Sequence, residues 1–380
     1  MRASGSGAVV DRRTISPAWP RTGNRSGPAI LGLVVALVAG GALLFGGPQP
    51  TKTTPGVRLS AAQAWPKARR GNLSGSLADG PLFSPTLFLD AKTAIGTAPS
   101  SDARSVRLTI GNTDGSLRVL ERLPSADNPV FDNFVVTGSE VLWTQSTDRA
   151  PLQIWAADVR AGSPARQLTA DTGNALFYGD QYGLVVANGR AYWTAAPDES
   201  EVTEIRSVAL SGGPVSIRVE PGEWSLSAWP WLRANAANQS GTTRLRNMDT
   251  GREVEVRFSA GELTTCSPVW CIVMVMNDAG LIRIDLMHPD GSARRRIAGG
   301  GARAAVTDVA VLDRFEILSE AGPTSDVNGT AGLLVYDIST GRTVQIAAAA
   351  DGAYTRNGVL WWSTGAPDDT VWHSLDLRTA

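Results

Sequence analysis

The chain has little cysteine, histidine and lysine, and no run after Gly47 has the apolar period of an amphipathic helix. Its 380 residues include two cysteines, Cys266 and Cys271, and two histidines, His288 and His373. With two histidines, histidine-based catalysis and histidine-based metal sites are restricted to these two positions. The absence of a helical apolar period points away from helical and α/β folds.

The chain also lacks an excess of positive or negative charge, which argues against a nucleic-acid partner. The chain has 35 basic and 36 acidic residues and a formal net charge of −1. Proteins that bind nucleic acid usually carry a strongly basic face. We therefore expect no nucleic-acid partner, and we interpret Arg294, Arg295 and Arg296 as part of a solvated outer strand.

One long uncharged apolar run lies near the N-terminus. Residues 29–47 read AILGLVVALVAGGALLFGG, which is 19 residues. A helix of that length matches a hydrocarbon core of about 30 Å. The preceding residues carry five arginines and one acid, so the positive-inside rule keeps 1–28 in the cytoplasm. We predict a single transmembrane helix at 29–47, a linker at 48–55 and an extracytoplasmic domain at 56–380.

A cleaved signal peptide is the alternative interpretation of this run. The run is long for the apolar part of a signal peptide, and GGPQPTKTTPG beyond it contains no A-x-A cleavage site. We expect a retained anchor, which places the protein in the cell membrane with its main domain outside.

Self-similarity with a period of about 45 residues determines the predicted fold. The units 134–173, 183–222 and 309–348 each read as four short strands, with a Gly turn after the first and third strands and a polar loop after the second. Markers of the second strand recur at intervals of 38 to 55 residues. They are Phe88, Trp143, Trp193, Trp231, Cys271, Ile317 and Trp362. Four strands per period of this length are typical of a β-propeller blade.

Seven markers predict an all-β, seven-bladed β-propeller. Six or eight blades are the alternatives, because the unit around Trp231 is poorly marked. The last unit, GVLWWSTGAPDDTVWHSLDLRTA, ends after its third strand. We predict that 56–66, GVRLSAAQAWP, supplies the fourth strand and closes the ring, which removes an exposed sheet edge.

Several segments between residues 58 and 380 resemble the membrane-anchored TolB-like translocation proteins of actinobacteria. They include ADTGNALFYGDQYGLVVANG, TTCSPVWC, RIDLMHPDGSARRR and GLLVYDISTGRTV. The resemblance implies a propeller outside the membrane that interacts with other proteins. It transfers no catalytic residue to this chain.

Three segments between units, 170–182, 220–231 and 259–270, are long and rich in aromatic residues. We interpret them as loops that join the outer strand of one blade to the inner strand of the next, so that they open on one face. Trp and Tyr are enriched at interface hot spots. We predict that this face binds a protein or cell-envelope component. The residues concerned are Tyr178, Tyr182, Trp224, Trp229, Trp231 and Trp270. The alternative is that these side chains pack between blades.

Acidic and amide side chains of the same face offer a calcium site as an alternative. They are Asp127, Asn128, Asp132, Asp171, Asn174 and Asp180. Ca²⁺ prefers such oxygen ligands, but Asp and Asn in turns usually serve only to form the turn. We assign no metal and no cofactor.

Cys266 and Cys271 are predicted to form a disulfide, because thiols outside the cytoplasm are oxidised. Five extended residues would span about 17 Å, whereas a disulfide requires Cα atoms about 6 Å apart. The chain must therefore turn at Ser267 and Pro268. We expect the bond to fix a loop between blades, next to the aromatic residues.

The function predicted from the sequence is a monomeric, non-enzymatic propeller scaffold. No G-x-S-x-G, H-E-x-x-H, P-loop or G-x-G-x-x-G motif occurs, and we assign no catalytic residue. The alternative is a propeller hydrolase or lyase that acts on glycans or peptides with carboxylates at the central channel. A deep polar pocket with clustered acids would favour the enzyme, and a flat aromatic face would favour the scaffold.

Overall fold

Seven β-sheets, antiparallel except for one short N-terminal strand, make up the described part of the chain. A computed structural model describes residues 58–197, 201–235, 241–322 and 325–380. The predicted cytoplasmic tail, transmembrane helix and linker lie outside these residues. Within them, no helix is both long enough and apolar enough to span a membrane.

The elements that precede the first blade belong to blades 6 and 7, which the C-terminal part of the chain forms. They are β1 (Leu59–Ser60), α1 (Ala61–Ala64) and β2 (Arg70–Ser74). Blade 1 contains β3 (Ser84–Phe88), β4 (Thr93–Pro99), β5 (Ser105–Asn112) and β6 (Leu117–Pro124). Blade 2 contains β7 (Val130–Thr137), β8 (Glu140–Thr147), β9 (Ala150–Asp158) and β10 (Arg166–Thr169). Blade 3 contains β11 (Ala175–Leu176), β12 (Val185–Ala187), β13 (Arg190–Ala195), β14 (Val202–Ala209) and β15 (Ser216–Pro221).

The later blades keep the same order from the innermost to the outermost strand. Blade 4 contains β16 (Ser225–Leu226), β17 (Trp231–Asn235), β18 (Thr242–Asn247) and β19 (Glu253–Glu255). Blade 5 contains β20 (Glu262–Cys266), β21 (Cys271–Asn277), β22 (Gly280–Met287) and β23 (Arg295–Gly299). Blade 6 contains β24 (Ala302–Ala304), β25 (Phe315–Ala321), α2 (Ser325–Asn328), β26 (Ala331–Asp337) and β27 (Arg342–Ala350). Blade 7 contains β28 (Ala353–Arg356), β29 (Val359–Thr364) and β30 (Val371–Asp376), and β2 is its outermost strand. Short 3₁₀ helices occur at Ser125–Asp127, Pro367–Asp369 and Leu377–Thr379.

Clusters of buried apolar side chains pack between neighbouring blades, and one such cluster joins the last blade to the first. Trp143 is buried between blades 1 and 2, and Trp193 between blades 2 and 3. The same arrangement continues through blades 4, 5, 6 and 7. Leu73, Phe83 and Trp361 then join blade 7 to blade 1. The predicted seven-bladed, all-β propeller is confirmed.

The strand that closes the ring lies later in the sequence than predicted. β2 pairs with β30 from Arg70 to Ser74, whereas the predicted segment 56–66 supplies β1 and α1. β1 adds in parallel to β27 of blade 6. The reason is a capping box, in which the Ser60 hydroxyl accepts from the Gln63 N–H and the Gln63 side chain accepts from the Ser60 N–H. This box starts a helix where the sequence pattern indicated a strand.

The three segments interpreted as loops between blades each contain an innermost strand. β11 lies within 170–182, β16 within 220–231, and β20 within 259–270. β11 and β16 have two residues each, too few for an alternating apolar pattern to be visible. The second-strand markers were placed correctly except for Phe88, which ends the innermost strand β3.

Candidate active site

The innermost strand of blade 3 is interrupted by an insertion, 177–184. β11 pairs with β13 as far as Thr194, and β12 resumes the pairing at Tyr192. Eight residues therefore occupy the space opposite the single residue Trp193. Because the innermost strands of a propeller surround its axis, such an insertion has only the central channel to enter.

The insertion meets three other blades. The Asp180 carboxylate forms an ion pair with Arg233 of blade 4. The backbone N–H of Gln181 donates to the Asp308 carboxylate in blade 6 over 3.3 Å. Arg356 of blade 7 donates to the carbonyl of Asp180, also over 3.3 Å. A segment of blade 3 can contact blades 6 and 7 only through the axis, so the insertion crosses the channel.

Residues of this crossing segment line two cavities. The first, of about 440 Å³, is lined by Tyr178, Asp180, Arg233, Thr265, Asp308 and Glu316, among others. The second, of about 310 Å³, is lined by Gly179, Gln181, Asp308, Thr355, Arg356 and Trp361, among others. Three acids, Asp180, Asp308 and Glu316, line the first cavity, and one of them, Asp308, also lines the second, although most of the lining of both cavities is apolar. Acids grouped at the channel are one part of the arrangement expected of an enzyme.

Glu316 lies near the start of β25 and is 1% exposed. Its Oε2 accepts a hydrogen bond from the Ala310 N–H over 2.8 Å. Burial raises the pKa of Glu316 to about 8, and the negative charge of Asp308 adds to the rise. Glu316 lines the first cavity, and its raised pKa favours the protonated form of the carboxyl at neutral pH.

Asp308 lines both cavities and is 4% exposed. It accepts a hydrogen bond from the Thr355 hydroxyl over 2.9 Å and another from the Gln181 N–H. Burial raises the pKa of Asp308, although both hydrogen bonds act in the opposite direction. A raised pKa makes its carboxylate a stronger base, which suits a group that removes a proton.

Two of the aromatic residues predicted to bind a partner lie in the insertion. Tyr178 is 52% exposed and lines the first cavity. The Tyr182 hydroxyl accepts from the Gln181 side chain over 3.2 Å. Burial raises the pKa of both phenols, so both are neutral groups near pH 7.

The four tryptophans that were predicted to bind a partner pack against neighbouring side chains. They do not form one exposed surface with the two tyrosines. Trp224 is 3% exposed and donates to the Pro221 carbonyl. Trp229 packs on Tyr192 with ring centroids 3.8 Å apart. Trp231 packs in the cluster between blades 4 and 5. Trp270 stacks on a histidine and donates to a carbonyl of blade 6. A role for these residues in partner binding stays a prediction.

Both histidines are held away from the two cavities. His373 Nδ1 lies 2.8 Å from the Asn72 side chain, and its Nε2 lies 2.7 Å from the Thr364 hydroxyl. His288 Nδ1 lies 2.8 Å from the Val269 carbonyl. Within the described ranges, no three acidic, histidine or cysteine side chains are grouped as a cation site would require.

The predicted disulfide between Cys266 and Cys271 is confirmed, but its place in the fold differs. The two residues are direct cross-strand partners in β20 and β21, with Cα atoms 4.0 Å apart. The bond therefore closes a hairpin within blade 5 and does not fix a loop between blades. The adjacent residues Thr265 and Ile272 line the first cavity, so the bond stabilises one wall of it.

Of the five charged residues that line the two cavities, four were not predicted from the sequence: Arg233, Asp308, Glu316 and Arg356. They come from three blades, and only Asp308 and Glu316 are close in the chain, at a spacing that matches no known motif. A signal was present at Glu316, which stands within the apolar strand FEIL. A charged residue in a strand that is otherwise buried indicates a functional site or a buried polar contact.

No protein-family model matches the chain, and no curated protein matches it. Among solved structures, it is similar to an oligogalacturonate lyase in complex with manganese, with 8% identity, coverage of 75% of this chain and 86% of the lyase, and a TM-score of 0.46. A puromycin-hydrolysing peptidase from Mycobacterium tuberculosis has 14% identity over 86% of this chain and 53% of the peptidase, with a TM-score of 0.46. An uncharacterised protein from Listeria monocytogenes has 12% identity over 78% of this chain and 92% of that protein, with a TM-score of 0.49. At such identities the likeness concerns the fold, and the chain spans about half the length of the peptidases.

The prediction that the chain is not an enzyme is contradicted by this comparison. Several of the solved structures that match it are enzymes, namely a lyase and peptidases. The propeller fold therefore gives no reason to exclude catalysis. Because the likeness extends to the fold alone, any reaction must be argued from the residues of the channel.

Proposed function

We propose that the central channel is the active centre of a hydrolase or lyase that cleaves glycans by carboxylate acid–base catalysis. The observation that carries this proposal is Glu316, whose carboxyl lines a cavity of about 440 Å³ and whose pKa of about 8 keeps it protonated at neutral pH. A carboxyl group of this kind is the general acid that cleavage of a glycosidic bond requires.

In a hydrolase, Glu316 transfers its proton to the glycosidic oxygen as the bond to the sugar carbon breaks. Asp308 takes a proton from a water molecule, whose hydroxyl then bonds to that carbon. In a lyase, Asp308 removes a proton from a ring carbon, and the departing oxygen takes the proton of Glu316 as a carbon–carbon double bond forms. Both reactions use the same acid and the same base.

The chemistry of the channel fits a glycan better than a peptide. Acid and base are both carboxyl groups, as in most glycoside hydrolases, and both histidines of the chain are engaged elsewhere. The half-exposed ring of Tyr178 offers an apolar surface beside polar groups at the first cavity. Sugars present this combination of apolar ring faces and hydroxyl groups.

Cleavage of a panel of oligosaccharides and polysaccharides by the full chain tests this proposal. New reducing ends without ultraviolet absorbance identify a hydrolase, and new absorbance from a double bond identifies a lyase. Glu316→Gln removes the proton donor and keeps the side-chain volume. We expect it to lower the cleavage rate about 100-fold or more.

Glu320→Gln is the matched control, because Glu320 lies on the same strand but pairs with Arg58 away from both cavities. This variant should cleave at the wild-type rate. A full rate in Glu316→Gln, or equal losses in both variants, would contradict the assigned role of Glu316.

The TolB-like family, the membrane anchor and the location outside the cytoplasm are proposals as well. The disulfide of blade 5 supports the location, because such bonds persist mainly in oxidising compartments. An extracytoplasmic enzyme of this kind would meet the glycans of the cell envelope.

A further inference from the structure

Arg356 ends the innermost strand of blade 7 and lines the second cavity. Its Nη1 donates to the Phe134 carbonyl over 2.9 Å, and its Nη2 donates to the Asp180 carbonyl over 3.3 Å. Both partners are neutral carbonyls. Among the residues that the structure describes, no carboxylate forms an ion pair with this guanidinium.

The other arginine of the channel differs in this respect. Arg233 lines the first cavity and is paired with the Asp180 carboxylate. A charged group taken out of water is costly unless an opposite charge compensates it. Burial accordingly lowers the pKa of Arg356. Arg356 is thus a partly buried cation whose hydrogen-bond partners are neutral carbonyls and whose charge no ion pair among the described residues compensates.

Two of the acids around Arg356, Asp308 and Asp180, hydrogen-bond to other residues. Asp308, Asp132 and Asp180 act on Arg356 only through space. Asp308 accepts from Thr355 and Gln181, as described above. Asp180 holds Arg233 and also accepts from the Tyr182 N–H. These acids moderate the field of Arg356 without occupying its free N–H groups.

Further groups at the second cavity suit a sugar that carries an anionic substituent. The indole of Trp361 lines this cavity, is 3% exposed, and its Nε1 has no hydrogen-bond partner among the described residues. The half-exposed ring of Tyr354 stacks on Trp361 at 5.7 Å and offers a flat apolar surface at the same cavity.

We propose that the second cavity binds the anionic group of a sugar, with Arg356 as the residue that holds the charge. A carboxylate and a phosphate share the required chemistry, because both accept hydrogen bonds from adjacent N–H groups of one guanidinium. The inference rests on the proposed function in treating this sugar as part of the substrate. The binding itself is independent of catalysis.

Isothermal titration of the full chain with three monosaccharides tests the anion site. D-Glucuronate, D-glucose 6-phosphate and D-glucose share one ring and differ in the charged group. None has a glycosidic bond to another sugar, so binding is measured without turnover. We expect at least one of the charged sugars to bind about tenfold or more tightly than glucose, and this preference to weaken with added salt.

Two arginine variants assign the preference to a residue. Arg356→Gln should bind the charged sugars and glucose equally. Arg303→Gln is the matched control, because Arg303 also lies on an innermost strand and donates only to carbonyls but lines neither cavity. It should keep the wild-type preference. The ligand comparison on the wild-type chain remains decisive if Arg356→Gln does not fold.

Each outcome of the titration has a defined meaning. Preference for glucuronate identifies a carboxylate as the ligand group, and preference for glucose 6-phosphate identifies a phosphate. Equal binding of all three sugars by the wild-type chain, or binding of none, overturns the anion site. A preference for a charged sugar together with full cleavage by Glu316→Gln would retain the anion site and reject the proposed catalytic role.

Discussion

Glu316 stands at a position where an apolar side chain would be expected. Its neighbours Phe315, Ile317 and Leu318 are all buried in β25. One backbone N–H donates a hydrogen bond to the Glu316 carboxyl, and burial favours the neutral form of this carboxyl. Such a side chain destabilises the fold whenever it ionises. Retention of an acid under these conditions is what an active site requires and a packed core does not.

Glu316 should therefore contribute stability that is lost as the pH rises from 4.5 to 8. The folded pKa of Glu316 is about 8, above its ordinary value of 4.5. Both states are protonated below pH 4.5, and between the two values unfolding releases a proton. The free energy of unfolding then loses up to about 1.4 kcal/mol per pH unit from this group. Chemical denaturation of the wild-type chain and Glu316→Gln at pH 5 and pH 8 measures this contribution.

Glu316→Gln should remove this part of the pH dependence, whereas Glu320→Gln should retain it. Parallel changes of stability with pH in the wild-type chain and Glu316→Gln would mean that the carboxyl is ionised at neutral pH. Glu316 could then not act as the general acid at neutral pH.

At the residue scale, the sequence allowed the disulfide to be predicted but not the charged residues of the channel. Cys266 and Cys271 are close in sequence, and the predicted extracytoplasmic location was enough to predict their pairing. The environments of Glu316 and Arg356 arise from other blades and from the insertion, so they depend on the tertiary fold. The apolar residues around Glu316 were the only local sign.

The hairpin of β20 and β21 shows how one element supports the channel. Cys266 and Cys271 end its two strands, and the Ser267 N–H donates to the Trp270 carbonyl within the turn. Ile272 and Met274 of β21 line the first cavity. A covalent bond at the end of this hairpin thus holds two lining residues in register.

Loss of the disulfide should destabilise the chain by about 2 kcal/mol, because the closed loop is short and loop entropy grows with loop length. The double variant Cys266→Ala, Cys271→Ala should show this loss in denaturant unfolding. Reductant should lower the stability of the wild-type chain by a similar amount and leave the variant unchanged. An equal response of both proteins to reductant would argue against the bond.

The innermost strands are the elements that sequence patterns describe least well. β11 and β12 have two and three residues, and the insertion between them interrupts any period. The longer second and third strands, such as β8 and β9, carry the tryptophans and apolar residues that reveal the repeat. The part of each blade that lines the channel is thus the part with the weakest sequence signal.

For the whole molecule, closure of the ring depends on residues far apart in the chain. β2 completes blade 7 over five residues, and Leu73 packs between blades 7 and 1. Trp65 packs between blades 6 and 7 and donates to Asp337. The incomplete last unit predicted that closure would come from the N-terminal side. The capping box at Ser60 moved the closing strand beyond the predicted segment.

Deletion of residues 1–74 should open the ring, whereas deletion of 1–57 should leave it closed. The longer deletion removes β1, α1 and β2 together with the buried side chains of Trp65 and Leu73. Each such side chain contributes about 1.5–3 kcal/mol by burial. We expect a clearly lower melting temperature and faster proteolysis of blade 7 for the longer deletion, as measured by circular dichroism and mass spectrometry. Equal melting of the two deletions would contradict this mode of closure.

The central claim is that the channel is an active centre in which Glu316 donates a proton. The most direct test is the initial rate of glycan cleavage between pH 5 and pH 9 by the wild-type chain and by Glu316→Gln. The wild-type rate should fall above about pH 8 as Glu316 loses its proton, and the variant should be about 100-fold or more slower at pH 7. A variant that cleaves as fast as the wild type, or a wild-type rate that stays constant to pH 9, would contradict the claim.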